Sequence, residues 1–230
     1  MAVMTAYRTS VGKKVLMAVT GLIWIGFLFF HMYGNTKAFQ GAEYFNHYAE
    51  ALRGFGAPVL GHGHFLFLLR VVVTFALLVH AYFGITLWLR NRASRGGVGY
   101  NVHRKVEADL AGKSMRYGGI AIGLFVLYHL MQFTWGVKAT LPTFERGMAY
   151  ENMVAGFTNP VNVIFYLAAL VFLGLHLYHG AWSMFQTLGL NNRDTKPWIH
   201  GFALVLAVII AGGFALVPLA VTFGILTLPA

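Results

Sequence analysis

Five runs of about 20 residues, nearly free of charge, constrain this chain more than anything else in it. Wound as a helix, such a run reaches about 30 Å, the thickness of the hydrocarbon layer of a bilayer. Strands of a membrane barrel would alternate polar and apolar residues. These runs are apolar all round, and only a helix satisfies its own backbone in lipid. The chain is 58% hydrophobic and 10% charged, where a soluble domain carries about 25% charged residues. The sequence therefore predicts an all-α, integral membrane bundle of five transmembrane helices. It is one domain over 1–230, with spans near 12–34, 66–90, 117–137, 160–187 and 198–226. The first run, Val15 to about Tyr33, is long and lacks a small-residue cleavage pattern after it. It is expected to stay as a span rather than to be removed as a signal peptide.

Orientation follows from where the basic residues fall. Arg8, Lys13 and Lys14 precede the first span. Arg90, Arg92, Arg95, Arg104, Lys105, Lys113 and Arg116 fill the connection between spans two and three, and Arg193 and Lys196 lie before span five. The other side has Lys37, Arg53, Lys138 and Arg146. Twelve against four predicts a cytoplasmic N-terminus and an outer C-terminus. The net charge of +10 is then mostly a topology signal, and no nucleic-acid partner is expected. The same residues offer a surface to a cytoplasmic protein or to anionic lipid heads. Outside, "GAEYFNHYAEALRGFG" predicts a short amphipathic helix on the membrane surface. The loop with Glu145 and Glu151 carries a weaker version of that pattern.

The chain has no cysteine. Disulfides, thiolate-held iron–sulfur clusters and thioether-attached haem are excluded. Any redox chemistry must then use histidine-held or non-covalently bound cofactors. His47, His62, His64 and His103 fall in loops or at a span edge, and His200 at the start of span five. His31, His80, His129 and the pair His176 and His179 lie deep in spans one to four. Any single one could be a hydrogen bond to a neighbouring helix. One in each of four consecutive helices, with no deep carboxylate to pair with, points to metal ligation.

Depth sorts them. At about 1.5 Å per residue, His31 is roughly 26 Å from Lys14 and His129 roughly 20 Å from Arg116. His80 is about 15 Å from Arg90; His176 and His179 are about 15 and 10 Å from Gln186. Spans one and three thus offer an outer pair, and spans two and four an inner pair. Two imidazoles facing across a bundle can hold one haem iron from both sides. Zinc prefers four closed ligands, which two separated pairs do not supply. Gly84 and Gly180 each follow a histidine by four residues, one turn along the same face, where a flat macrocycle needs room. The gaps His31–His80 and His129–His176, 49 and 47 residues, make the two helix pairs look like a duplicated unit.

With these residues in view, the chain resembles the cytochrome b membrane-anchor subunit of succinate dehydrogenases and fumarate reductases, in its single-chain, five-helix, dihaem class. "AVTGLIWIGFLFFHM" is similar to that family's first helix, "LLVHAYFGITLWLRNR" to its second and "LHLYHGAWSMFQTLG" to its fourth. The match runs from about Arg8 to Gly224. The resemblance implies two haem b groups. His31 and His129 would hold the outer one. His80 and His176 would hold the inner one, with His179 as an alternative ligand or a contact to a propionate or quinone. It implies a flavoprotein subunit carrying FAD and an iron–sulfur subunit, both docked at the cytoplasmic face of a bacterial plasma membrane. The Arg90–Arg116 connection is the candidate docking surface. Homo-oligomerisation of the whole complex stays open.

The function implied is respiratory complex II: electrons from succinate pass by way of the iron–sulfur subunit to membrane menaquinone, with succinate bound elsewhere. No catalytic residue is assigned. Arg8, Ser10 and Lys14 are quinone candidates on the inner side; Tyr33, Asn35, Glu43 and Glu50 are candidates on the outer side. Some relatives carry a transmembrane glutamate two residues before the span-four ligand; here that position is Gly174, so no glutamate-based proton path is expected. Fumarate reduction, a cytochrome b of another quinone-linked dehydrogenase, and a haem-free structural anchor are the alternatives.

Overall fold

A computed structural model describes residues 7–94 and 110–229. Those residues form seven helices: α1 Ser10–Thr36, α2 Ala42–Gly54, α3 His64–Ala93, α4 Leu110–Phe133, α5 Ala149–Phe157, α6 Pro160–Thr187 and α7 Lys196–Thr222. A 3₁₀ turn, Lys37–Gln40, and a single helical turn, Ala57–Leu60, complete the first long connection. The candidate docking surface falls mostly on residues 95–109, including Arg95, Arg104 and Lys105, and lies outside the described residues.

Four of the helices, α1, α3, α6 and α7, are long and apolar enough to cross a membrane. Their outward faces carry Phe30, Phe67, Phe75, Val161, Ile164 and Val208, all well exposed. A soluble monomer rarely shows so much contiguous apolar surface, so these helices mark a membrane protein. The fifth expected span, α4, forms a helix of 24 residues but is less apolar. Arg116, four glycines, His129 and Gln132 thin its run. Arg70 sits two turns into α3 on an exposed face; its long stem can carry the charge toward the helix end.

Local chemistry sets where the helices start and stop. Thr9 Oγ1 accepts the Gly12 N–H at 3.0 Å and caps α1. Asn159 does the same for α6 through the Val161 N–H, and Pro160 opens that helix where no donor is needed. Two ends fall four residues short of expectation, because glycines turn left-handed after them. Gly136 has φ 64° and Gly224 φ 71°. After α4 the Val137 N–H returns to the Met131 carbonyl at 2.8 Å, and after α7 the Leu226 N–H returns to the Ala220 carbonyl at 3.2 Å. At α7 the Ile225 N–H also reaches the Ala220 carbonyl at 2.8 Å, the closing bond of a glycine-terminated helix.

Helix α1 lies beside α3, and α4 beside α6. Arg90, near the end of α3, donates to the Arg8 carbonyl before α1 at 3.1 Å, so these two run antiparallel. Helix α7 packs along α6 and also meets α1. One end of the bundle is covered by α2 and α5; we call it the capped end. The other, where α1 and α7 begin, is the basic end: Arg8, Lys13, Lys14, Arg90, Arg92, Arg116, Arg193 and Lys196 gather there, with Asp194 the one acid among the described residues.

The two short helices differ more than their patterns suggest. On α2 only Phe45 is fully buried, as suits a surface helix. Helix α5 instead buries Tyr150, Asn152, Met153, Val154, Gly156 and Phe157. It is pinned by the Tyr150 N–H to Asn46 Oδ1 (2.9 Å), by Tyr150 Oη to the Thr227 carbonyl (3.1 Å), and by Asn46 Nδ2 to Glu151 (2.9 Å). These partners are far apart in sequence, which is why the local pattern understates its burial.

Glu50 on α2 accepts from Arg53 Nη1 at 2.8 Å and from the His62 ring at 3.1 Å. The Arg53 bond, then the His62 bond, lowers the Glu50 carboxyl below its ordinary 4.5. A depressed carboxyl contributes stability above its unfolded value and loses it as pH falls through the folded one. The link from α2 to His62 should therefore hold at neutral pH and loosen in acid, as pH falls through the lowered Glu50 range. Hydrogen exchange of α2 against pH checks this. With Glu50→Gln that acid-induced step should vanish; an unchanged step would rule it out.

Candidate haem-ligand pairs

The structure brings the deep histidines together two by two. His31 on α1 and His129 on α4 have ring centres 5.8 Å apart. His80 on α3 and His176 on α6 have ring centres 6.1 Å apart. Each pair joins the α1–α3 hairpin to the α4–α6 hairpin across the centre of the bundle. Among the described residues no hydrogen bond joins the two rings of either pair, and no group of three or more His, Cys, Asp or Glu forms.

The pairs lie at different heights. His80 abuts Met17, Thr20 and Gly21 of α1. His31 comes ten residues after Gly21, or about 15 Å along the axis. Helix α4 repeats the interval: Gly119 faces His176, and His129 comes ten residues after it.

Ring spacing and proton placement both fit a metal between the rings. A nitrogen of imidazole binds a metal at about 2 Å, with the ring centre roughly 1 Å behind it, so opposed ligands have centres about 6 Å apart. His80 Nδ1 lies 3.2 Å from the Met17 carbonyl. A carbonyl only accepts, so the His80 proton is on Nδ1 and Nε2 keeps its lone pair. That is the usual arrangement of a ligating histidine. His129 Nδ1 lies 3.2 Å from Tyr166 Oη. Among the described residues His176 Nδ1 is buried with no hydrogen-bond partner, so none of them fixes which of its nitrogens carries the proton. His31 is held by rings: Phe27 stacks on it at 5.3 Å and Phe214 lies at 5.6 Å.

Small residues leave space beside the ligands. A Cβ on Gly180 would meet nothing within 4 Å, and one on Gly84 only Met17 Cε at 4.0 Å. Gly21 and Gly119 are closer, with a Cβ 3.5 Å from His80 Cε1 and 3.7 Å from His176 Cε1. Those are ordinary contacts, so Gly21→Ala and Gly119→Ala should be tolerated. Gly21→Leu and Gly119→Leu should push the rings aside and, if the pair holds a cofactor, lower occupancy of the His80–His176 pair alone. Pigment measured per chain tests this; full occupancy in both leucine variants would refute the wedge.

His179 lies elsewhere. Its ring meets Trp182 edge-on at 4.9 Å, Trp182 stacks on His200 at 4.9 Å and 21°, and Tyr178 Oη lies 3.0 Å from His200 Nδ1. His200 thus belongs to a part-buried stack, which its place at a helix start does not suggest. The faint signal is Tyr178 and Trp182, one turn apart on α6.

The quinone candidates do not converge. Arg8 and Ser10 are exposed near the start of α1, Arg8 bonding Tyr7 Oη at 3.1 Å. Lys14 is exposed, while its neighbour Lys13 is buried. Tyr33, half exposed beneath Lys37 Nζ at 4.6 Å, and Asn35 lie at the opposite end of α1. Glu43 is exposed on α2, and Glu50 is engaged by Arg53 and His62. Gly174 touches α7, where its Cβ would lie 3.5 Å from the Ala211 Cβ.

No protein-family model, curated protein or solved structure matches the chain.

Proposed function

We propose that this chain is the dihaem cytochrome b membrane anchor of a succinate:quinone oxidoreductase. Five helices, α4 included, cross a bacterial cytoplasmic membrane, with the basic end inside and the capped end outside. The chain carries electrons from an iron–sulfur partner to menaquinone, while a flavoprotein partner oxidises succinate. The observation that carries the reading is the pair of histidine pairs, stacked at two heights between two helix hairpins, each with the spacing of opposed ligands to one metal.

His80 and His176 would hold the haem nearer the basic end, and His31 and His129 the one nearer the capped end. Haem b, when bound, supplies a one-electron carrier at each pair. The protein's part is to present lone pairs and exclude water. The Met17 carbonyl keeps the His80 proton away from the metal side, and Phe27 and Phe214 shield His31. The partners would dock at the basic end, where among the described residues eight cations face one acid. Arg8, Ser10 and Lys14 are the quinone candidates on that side, and Tyr33 and Asn35 on the other.

The test is purification of the complex from its native membrane, with pigment, flavin and metals counted. Two haem b per chain, with covalent flavin and succinate-driven quinone reduction, supports the reading. Molybdenum or nickel in the partners would reassign the chain to another quinone-linked dehydrogenase. A colourless complex would leave only an anchor.

A further inference from the structure

Sequence marks His129 as a ligand but is silent on which nitrogen is free to bind. In the structure that depends on two other residues. Tyr166 Oη lies 3.2 Å from His129 Nδ1 and donates its proton to Gln132 Oε1 at 2.7 Å. A phenol has one proton. With that proton given to Gln132, the contact to His129 requires the imidazole proton on Nδ1, which leaves Nε2 bare. Gln132 is 0% exposed and Tyr166 6%, so no solvent competes for these bonds. Reversing the Gln132 amide would reverse the chain. Its N–H would donate to Tyr166, the phenol proton would turn to Nδ1, and the imidazole proton would move to Nε2, where it blocks a metal.

We propose that Gln132 and Tyr166 are positioning residues for the capped-end haem. They hold the His129 proton on Nδ1 and, by accepting it there, make this imidazole a stronger electron donor. A stronger donor favours the oxidised metal and lowers its midpoint potential. The inference rests on the haem reading. The second pair supplies an internal control: His80 gives its proton to a main-chain carbonyl, which no side-chain change at 132 or 166 removes.

The experiment is potentiometric titration of the purified complex, the capped-end signal being the one that His129→Ala removes. Tyr166→Phe keeps the ring, which packs edge-on to Phe125 and Phe157 at 4.9 Å each. It should retain both haems and raise the capped-end midpoint by about 59 mV, a tenfold change in the oxidised-to-reduced ratio for one electron. The other midpoint should stay. Gln132→Leu should also raise it, and Gln132→Glu, which keeps an acceptor oxygen, should not. If Tyr166→Phe fails to accumulate, the Leu and Glu variants carry the same contrast. Both haems present with the capped-end midpoint unmoved, or both midpoints moved equally, would overturn the inference. Absence of haem from the unaltered complex would overturn the reading beneath it.

Discussion

If the two histidine pairs hold haem as proposed, replacing His176 by alanine is expected to leave one haem per chain, and replacing His179 by alanine to leave two. The two residues are three apart on α6 and equivalent by residue type. Geometry separates them. His176 has its ring centre 6.1 Å from that of His80, and Gly119 of α4 passes beside it. His179 turns about 60° away round the helix and lies against Trp182. With His176 gone, His80 alone would be left to hold the group at that level, and affinity should fall by more than the 10–100-fold typical of a lost supporting contact. Haem per chain, with the reduced visible spectrum, is the measurement. Loss with His179→Ala and retention with His176→Ala would reverse the assignment.

Gly156→Val should destabilise the protein by about 1–3 kcal/mol and disturb the capped-end pair before the other. A Cβ at Gly156 would come within 2.7 Å of Phe133 Cζ and 2.9 Å of Cε1. The glycine cannot easily retreat, because its carbonyl accepts from Asn162 Nδ2 at 2.8 Å, and Asn162 Oδ1 accepts from Tyr128 at 2.8 Å. Phe133 must therefore move, and it stands 5.6 Å from His129 and 6.1 Å from Tyr166. Gly213 makes a useful contrast. Its Cβ would meet Met32 Sδ at 2.5 Å, but an unbranched thioether can swing away. Gly213→Ala should cost less than Gly156→Ala. Thermal unfolding in detergent, followed with haem content, ranks the three. Equal midpoints for Gly156→Val and the unaltered protein would contradict the packing account.

Much of the architecture is legible in the chain because the constraints involved are local. A run of about 20 apolar residues must satisfy its own backbone, and the helices fall where such runs lie. The depth of a histidine along a helix is a residue count multiplied by a fixed rise, so His31 with His129, and His80 with a residue near His176, can be matched by height without coordinates. At two helix ends where local signals mislead, a glycine is the reason: Gly136 and Gly224 end helices that apolar content alone would extend.

By itself, then, the sequence determined how many long helices there are and which imidazoles share a level; four starts fall within two residues of expectation, whereas α4 is already helical at Leu110 rather than at 117. Only the folded chain decided which way those imidazoles turn, that α5 is buried rather than afloat, and that His200 stacks on Trp182. Rise per residue is a property of one helix, whereas azimuth and proton placement depend on partners from other helices. Tyr166 and Gln132 are 34 residues apart, and no periodicity in either segment announces that they share a proton.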